Sequence, residues 1–421
     1  MARYRAPRGM EDILPPKSEA MRRLEDIARK LLAVYGYEEI ILPVLEQSEL
    51  YLRSIGEETD IVQKEMFLLE DKGGRTLALR PEATAGVARA FVEHGLDRRG
   101  LPLKLFYVGP MFRHERPQAG RYRQFHQLGV ELIGSPGPEA DAEAISLALH
   151  ILSEAGITVE LRINTVGDPS CRPLYVKELV RFLRANADGL CDDCRRRMER
   201  NPLRVLDCKE EGCREVLGKV PAIYEFLCED CRAHWEELME ILDRIGVRAV
   251  RDPLLVRGLD YYTRTVYELI SPALGAKNAV AAGGRYDDLI QEVGGRKTPA
   301  VGFSLGMERA LLLMRGEEKG RDGVYVVSQA DSARREAFAL GMELRRKGIR
   351  AEVDVMGRSF RAQLREADRR LCRYVAILGE DEMSGGYLTL KDLESGDQRK
   401  VSREELLSWK VGEGWGDPGK Q

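Results

Sequence analysis

Several short runs of this 421-residue chain combine arginine, acid, amide and tyrosine side chains in ways that could handle an anionic substrate. Phe112-Arg113-His114-Glu115 closes one apolar stretch, and Arg121-Tyr122-Arg123-Gln124-Phe125 opens the next. Further on come Leu255-Val256-Arg257-Gly258-Leu259-Asp260-Tyr261-Tyr262, Ala282-Gly283-Gly284-Arg285-Tyr286-Asp287-Asp288 and Gly302-Phe303-Ser304-Leu305-Gly306-Met307-Glu308-Arg309. Guanidinium groups are planar, always charged, and offer paired donors that match phosphate or carboxylate oxygens. The chain has no G-x-x-x-x-G-K-[ST] phosphate loop, and no G-x-G-x-x-G follows a strand-like run. A bound nucleotide would therefore be held by arginine side chains on a sheet. The five histidines sit in contexts that assign none of them as a catalytic base.

A second kind of chemistry is concentrated between residues 170 and 245, which hold seven of the eight cysteines. Cys191-x-x-Cys194, Cys208-x4-Cys213 and Cys228-x-x-Cys231 have the spacing of zinc ligands. If one structural zinc is present, Cys191, Cys194, Cys228 and Cys231 are the expected set. The competing reading is ordinary thiols.

The elements that must position these groups follow from periodicity. Residues 18–35 form an amphipathic helix through Met21, Leu24, Ala28 and Leu32. Strands are expected at 39–42, 75–80, 104–109, 124–133, 158–164, 254–256, 264–270, 279–283 and 301–305. Helices are expected at 81–91, opened by Pro81, and at 139–154, 286–293 and 306–315. Gly316–Gly323 is glycine-rich and polar, a linker. Beyond it, apolar runs at 324–328, 351–355 and 374–378 alternate with helical patterns at 332–347 and 359–371, which indicates a separate α/β domain.

Taken in order, the Arg113–Phe125 and Gly302–Arg309 segments resemble motifs 2 and 3 of the class II aminoacyl-tRNA synthetases, and residues 30–46 resemble motif 1. The Leu255–Tyr262 and Ala282–Asp288 segments resemble the two histidine-specific motifs of histidyl-tRNA synthetases. The resemblance covers about residues 4 to 410. It implies an α+β fold: an antiparallel sheet flanked by helices, with a helical insertion and a C-terminal α/β domain. The expected boundaries are 1–169 and 246–318 for the catalytic domain, 170–245 for the insertion and 322–421 for an anticodon-binding domain. It implies histidine activation by ATP with Mg²⁺, transfer to tRNA(His), and a homodimer with motif 1 in its interface.

The residue roles are likewise what the resemblance implies. Arg257 and Arg113 are catalytic, Arg113 on the α-phosphate and Arg257 on the histidine carboxylate and that phosphate. Glu115 and Arg121 lie near the ATP, while Phe125 and Arg309 sandwich the adenine. Glu82, Thr84 and Gln127 take the α-ammonium. Glu131 and Tyr262 read the two imidazole nitrogens, and Tyr261 and Tyr286 complete the pocket. Arg116 and Gln118 are candidates for the tRNA acceptor end. In the C-terminal domain Arg358, Arg361, Arg365 and Arg369 share a helix face, and Arg361 and Arg365 are candidates for phosphate contacts. A solvated charged face is the alternative there. Tyr261 and Tyr286 could equally be core aromatics, and Glu82 an early-turn helix cap.

The net charge of −3 rules out a globally basic coat, so any RNA contact must be local. No apolar run approaches the ~20 residues of a membrane span, and no signal peptide is apparent, so a cytoplasmic protein is expected. A non-catalytic relative, the regulatory subunit that pairs with ATP phosphoribosyltransferase, would share the fold. It typically lacks the C-terminal domain and degrades the first histidine motif, and both are intact here.

Overall fold

In the computed structural model the structure describes residues 4–56, 59–275, 279–316 and 320–408. Two compact units divide the chain, Met1–Arg315 and Gly316–Gln421. Residues 317–319 of the expected linker lie outside the described residues.

The first unit is built on an eight-stranded sheet. Its strands are β1 (Glu38–Glu39), β5 (Leu103–Phe112), β6 (Gln124–Ile133), β7 (Glu160–Thr165), β8 (Ala249–Arg251), β9 (Thr263–Ile270), β10 (Ala279–Arg285) and β11 (Ala300–Gly306). The order is β1-β5-β6-β11-β10-β9-β7-β8. The six central strands are antiparallel to their neighbours, whereas β1 joins β5 and β8 joins β7 in parallel. The expected antiparallel sheet is thus mixed at both edges. A small sheet, β2 (Leu45–Gln47), β4 (Thr76–Leu79) and β3 (Phe67–Glu70), lies apart from it in the hydrogen-bond network.

Side-chain alternation divides the large sheet into two faces. On β6, Leu128, Val130 and Leu132 enter the same core as Phe303 and Leu305 of β11 and Tyr267 and Leu269 of β9. Helices Lys17–Val34, Pro138–Glu154 and Glu229–Arg244 cover that face with Leu24, Leu32, Leu147, Ile151, Trp235 and Leu242. The opposite face receives the intervening residues, among them Gln127, Glu131, Glu268, Gly302 and Ser304. Around it lies a second core containing Val87 and Phe91 of helix Thr84–Glu93 with Tyr107, Tyr262 and Tyr286.

Some expectations change in detail. The helix expected from Pro81 begins at Thr84, because the buried Glu82 carboxylate accepts the backbone N–H groups of Thr84 and Ala85 and so sets the first turn. Residues 254–256 are not a strand. Asn164 Nδ2 donates to the Pro253 and Leu255 carbonyls and holds that segment against β7 instead. The pairing strand is β8, a few residues earlier.

The second unit has the strand order β13-β12-β14-β15-β16, with β12 at Val324–Ser328, β13 at Ala351–Val353, β14 at Tyr374–Leu378, β15 at Leu388–Asp392 and β16 at Gln398–Val401. The first three are parallel, and β15 and β16 extend the sheet antiparallel. Helices Arg334–Arg346 and Phe360–Arg369 intervene, as the α/β pattern indicated.

Candidate active site

A cavity of about 680 Å³ opens over the polar face of the large sheet. Among its lining residues are Arg113, Glu115, Arg121, Phe125 and Arg309, and also Glu82, Thr84, Gln127, Glu131, Arg257, Tyr261, Tyr262 and Tyr286. Residues drawn from five separate sequence segments therefore face one space.

At one end, β5 and β6 form an antiparallel pair in which Met111 lies opposite Phe125 and Phe112 opposite Gln124. The pairing continues past the strand ends, where the Arg113 N–H reaches the Arg123 carbonyl at 2.9 Å. Arg113 Nε donates to the Pro81 carbonyl at 2.8 Å, and its guanidinium lies 5.4 Å from the centre of the Phe125 ring. Arg121 is paired with Glu115 at 2.8 Å. Arg309 donates to the Ala279 carbonyl at 2.6 Å. Burial, with Arg121 nearby, lowers Arg309 from the usual arginine value to about 10, so it keeps its charge at neutral pH. The helix carrying Arg309 is tied to β6 through Glu308, which accepts the His126 backbone N–H at 2.9 Å and contacts its ring Nδ1 at 2.8 Å. The sequence marks Glu308 as part of the Gly302–Arg309 segment but gives no sign of its His126 partner. Arg116 and Gln118 are exposed on the loop between β5 and β6, and Gln118 and Arg121 form an isolated bridge there.

At the other end lies a buried polar nest. Glu131 is 1% exposed. It accepts the Thr84 hydroxyl at 2.7 Å and the Tyr286 hydroxyl on its other oxygen. Burial pushes its carboxyl up to about 8, against the pull of the Tyr286 and Thr84 hydrogen bonds. The Tyr261 ring lies 4.7 Å from that of Tyr262 and 5.6 Å from that of Tyr286. Gln127 donates to Ser304 Oγ at 3.3 Å, while its buried Oε1 has no hydrogen-bond partner among the described residues. A buried acceptor without a donor is costly, and a cationic ligand group would satisfy it. Glu82 performs the capping role that was one of its two readings.

Close approach explains two glycines. A Cβ on Gly284 would stand 2.7 Å from Tyr262 Cδ1, and one on Gly302 would collide with the Glu131 carboxylate and the Val130 carbonyl.

Arg257 lies between the two ends. It is ion-paired with Glu268 of β9, and its Nε is buried without a partner among the described residues. Glu268 was missed in the sequence because nothing local marks it; only the antiparallel pairing of β9 with β10 and β7 brings it to the site. Arg285, in the Gly-Gly-Arg-Tyr run, has a different role. It is fully buried, paired with Asp141 and Asp287, and donates to the Ser135 and Gly137 carbonyls at 3.0 and 2.8 Å.

The cysteines do not form the expected set. Cys191 and Cys194 gather with Cys208 and Cys213, and Cys228 and Cys231 gather with Asp168 and Cys171. The Cys191, Cys194, Cys228, Cys231 grouping is therefore corrected, since the two C-x-x-C pairs lie in different packing clusters. The insertion's arginines are largely engaged: Arg196 with Asp193, and Arg197 and Arg204 with Asp60 at 3.4 and 3.3 Å. On helix Phe360–Arg369 the basic stripe is also divided. Glu366 neutralises Arg369 and approaches Arg358, leaving Arg361 and Arg365 exposed. Among the described residues, no helix is long and apolar enough to cross a membrane.

Residues 9–310 match the family model for histidyl-tRNA synthetase, and residues 323–411 match that for an anticodon binding domain. A histidine–tRNA ligase of Halothermothrix orenii is 47% identical over 411 residues, covering 96% of this chain and 98% of the relative. The crystal structure of apo S. aureus histidyl-tRNA synthetase superposes with a TM-score of 0.80 at 33% identity, covering 96% of this chain and 98% of that one. A Bacillus halodurans structure described as an ATP phosphoribosyltransferase regulatory subunit/histidyl-tRNA synthetase gives 0.66 at 25% identity, covering 90% and 99%. With a family model spanning most of its length and a relative at near-half identity from end to end, the chain belongs to the histidyl-tRNA synthetase family.

Proposed function

We propose that this protein is a histidine–tRNA ligase that works in two steps. In the first, a carboxylate oxygen of L-histidine attacks the α-phosphorus of ATP, a P–O bond forms, and pyrophosphate leaves with the broken bond's electrons. In the second, a ribose hydroxyl at the 3′ end of tRNA(His) attacks the activated carbonyl, an ester C–O bond forms, the carbonyl–phosphate C–O bond breaks, AMP leaves with that bond's electrons, and the hydroxyl proton passes to the departing phosphate or solvent. The attacking carboxylate is already anionic, so the first step needs no base.

Catalysis then rests on charge and placement. Negative charge accumulates around the α-phosphorus, and Arg113 and Arg257 stabilise it as rigid multi-donor cations. Glu115 and Arg121 bind near the ATP phosphates. Phe125 and Arg309 hold the adenine between an aromatic face and a guanidinium plane. Glu115 and Glu268, now paired with Arg121 and Arg257, are the cavity carboxylates that would hold a Mg²⁺ brought with ATP, and such an ion would offset phosphate charge. The imidazole offers one donor and one acceptor, read by Glu131 and Tyr262, with Tyr261 and Tyr286 packing the ring. The α-ammonium is received by the free Gln127 oxygen with Glu82 and Thr84.

The observation that carries this reading is the single cavity in which Arg113, Arg257 and Arg309 share a wall with Glu131, Tyr262 and Gln127. The intact Arg257–Tyr262 segment and the anticodon-binding match favour the ligase over the regulatory paralogue. A homodimer is supported by apolar side chains left open beside motif 1, including Ile41 at 88% exposure. Arg361 and Arg365 are proposed contacts for tRNA phosphates, Arg116 and Gln118 for the acceptor end, and the cytoplasm is the proposed compartment.

The test is ATP–pyrophosphate exchange with each of the twenty amino acids in turn. Exchange with histidine alone is expected. No exchange with any would return the regulatory paralogue, and exchange with another amino acid would overturn the Glu131–Tyr262 pocket.

A further inference from the structure

The two cysteine groups have the geometry of metal sites. In the first, the four Sγ atoms of Cys191, Cys194, Cys208 and Cys213 lie within 4.8 Å of one another. A tetrahedral zinc with Zn–S bonds of ~2.3 Å requires sulfur–sulfur edges of about 3.8 Å, and Cys191 Sγ stands 3.9 Å from Cys208 Sγ. In the second, Cys171, Cys228 and Cys231 and an Asp168 carboxylate oxygen meet the same 4.8 Å limit.

The local structure around both groups is prepared for negative charge. Cys191 and Cys228 each precede a helix, Asp192–Arg200 and Glu229–Arg244, and their partners Cys194 and Cys231 stand in the first turn. Both pairs thus present thiols at the positive end of a helix. The Cys191 N–H donates to Cys213 Sγ at 3.1 Å, and the Asp168 N–H reaches Cys171 Sγ at 3.5 Å. Such N–H···S bonds orient thiolate ligands and spread their charge. All eight cysteines are free.

We propose that the chain binds two structural zinc ions, one on Cys191, Cys194, Cys208 and Cys213, the other on Asp168, Cys171, Cys228 and Cys231. Binding displaces four thiol protons at the first site and three at the second, all released to solvent. Four protein ligands leave neither ion an open position, so neither does chemistry.

Each ion braces a wall of the cavity described above. The first fixes the turn from Leu206 to Lys209, which lines the cavity together with Arg214. The second locks the segment after β7 to the start of helix Glu229–Arg244. Next to Cys171, Arg172 donates to the Tyr262 carbonyl at 2.5 Å and to the Val166 carbonyl at 2.9 Å. The second zinc therefore stabilises the strut behind Tyr262.

The test is metal content of the full chain, purified without chelator, by mass spectrometry alongside a thiol count under denaturing conditions. Two zinc ions per chain are expected, one in each of Cys208→Ser and Cys231→Ser, and none in the double variant. Cys372→Ser, outside both groups, should retain two. A single zinc lost on either substitution would mean one shared site and overturn the proposal, as would disulfides in the thiol count. Because a substituted site can fail to fold, Co²⁺ titration of the metal-stripped wild-type chain gives a second reading. Uptake of two equivalents with tetrahedral thiolate absorption is expected. An octahedral spectrum, or no uptake, would overturn it.

Discussion

Glu131→Gln should make the protein more stable in alkaline solution while impairing its reaction. The wild-type carboxyl is held near 8 in the folded chain by burial, against an ordinary 4.5. Between those values the folded chain keeps a proton that the unfolded chain has released. Stability therefore falls as pH rises from about 4.5 to about 8, and the loss is complete above that. At ~1.4 kcal/mol per unit, the penalty is on the order of 5 kcal/mol. Glutamine cannot ionise, so the variant escapes it. The amide carries two N–H donors where the protonated acid carries one O–H, and the second N–H facing the Thr84 and Tyr286 hydroxyls costs about 1 kcal/mol. The variant should consequently match or fall slightly below wild type at pH 5 and exceed it by roughly 3–4 kcal/mol at pH 8.5. Thermal unfolding of both proteins across that range measures the difference. Histidine-dependent pyrophosphate exchange should drop most above about pH 8, where the wild-type carboxylate offers only acceptors to the imidazole N–H and the variant still presents an amide N–H. Parallel pH profiles for the two proteins would refute the reasoning, since they would mean that Glu131 is ionised in the fold throughout.

Three further outcomes are expected. Arg257→Ala should abolish adenylate formation while circular dichroism stays native; near-wild-type exchange would remove Arg257 from the catalytic set. Asp141→Asn should destabilise the chain by about 3–5 kcal/mol at pH 7, because it leaves the fully buried Arg285 short of its main counter-charge. Burial opposes ionisation of Asp141, but Arg285 and His234 hold it down to about 2. Its stabilisation is therefore present above about 3.8 and lost as pH falls toward 2, so the gap between variant and wild type in denaturant melts should close in that window. The double variant Arg361→Glu, Arg365→Glu should leave pyrophosphate exchange intact and slow aminoacylation, most clearly at low salt; unchanged aminoacylation would mark the stripe as a solvated face.

What could be read in the sequence, and what could not, divides by how far a residue's partner lies along the chain. The arginines were legible because anion binding narrows the choice of side chain and because three motifs occur in one order. Glu131 was named only through the family resemblance, as the acid that reads the imidazole. Its engagement by Thr84 and Tyr286 was not legible, since those residues lie 47 and 155 positions away. Glu268 escaped notice, and Glu308 was quoted in its motif without a partner, for the same reason: each acts through a contact that only the folded sheet creates. The cysteines show how a sound rule can select the wrong partners. Two C-x-x-C pairs within forty-odd residues invite pairing with each other. Because β8 joins β7 in parallel, however, the chain must cross back along the sheet before it re-enters, and the helix that does so starts at the end where β7 finishes. Cys228 and Cys231, at the start of the helix that leads back to β8, therefore lie against Asp168 and Cys171, just beyond β7. The pair Cys191 and Cys194, deep in the insertion, must find its ligands within it, and Cys208 and Cys213 are the thiols the turn brings round. Topology thus decides the ligand sets, and a test for two ions rather than one is also a test of that path.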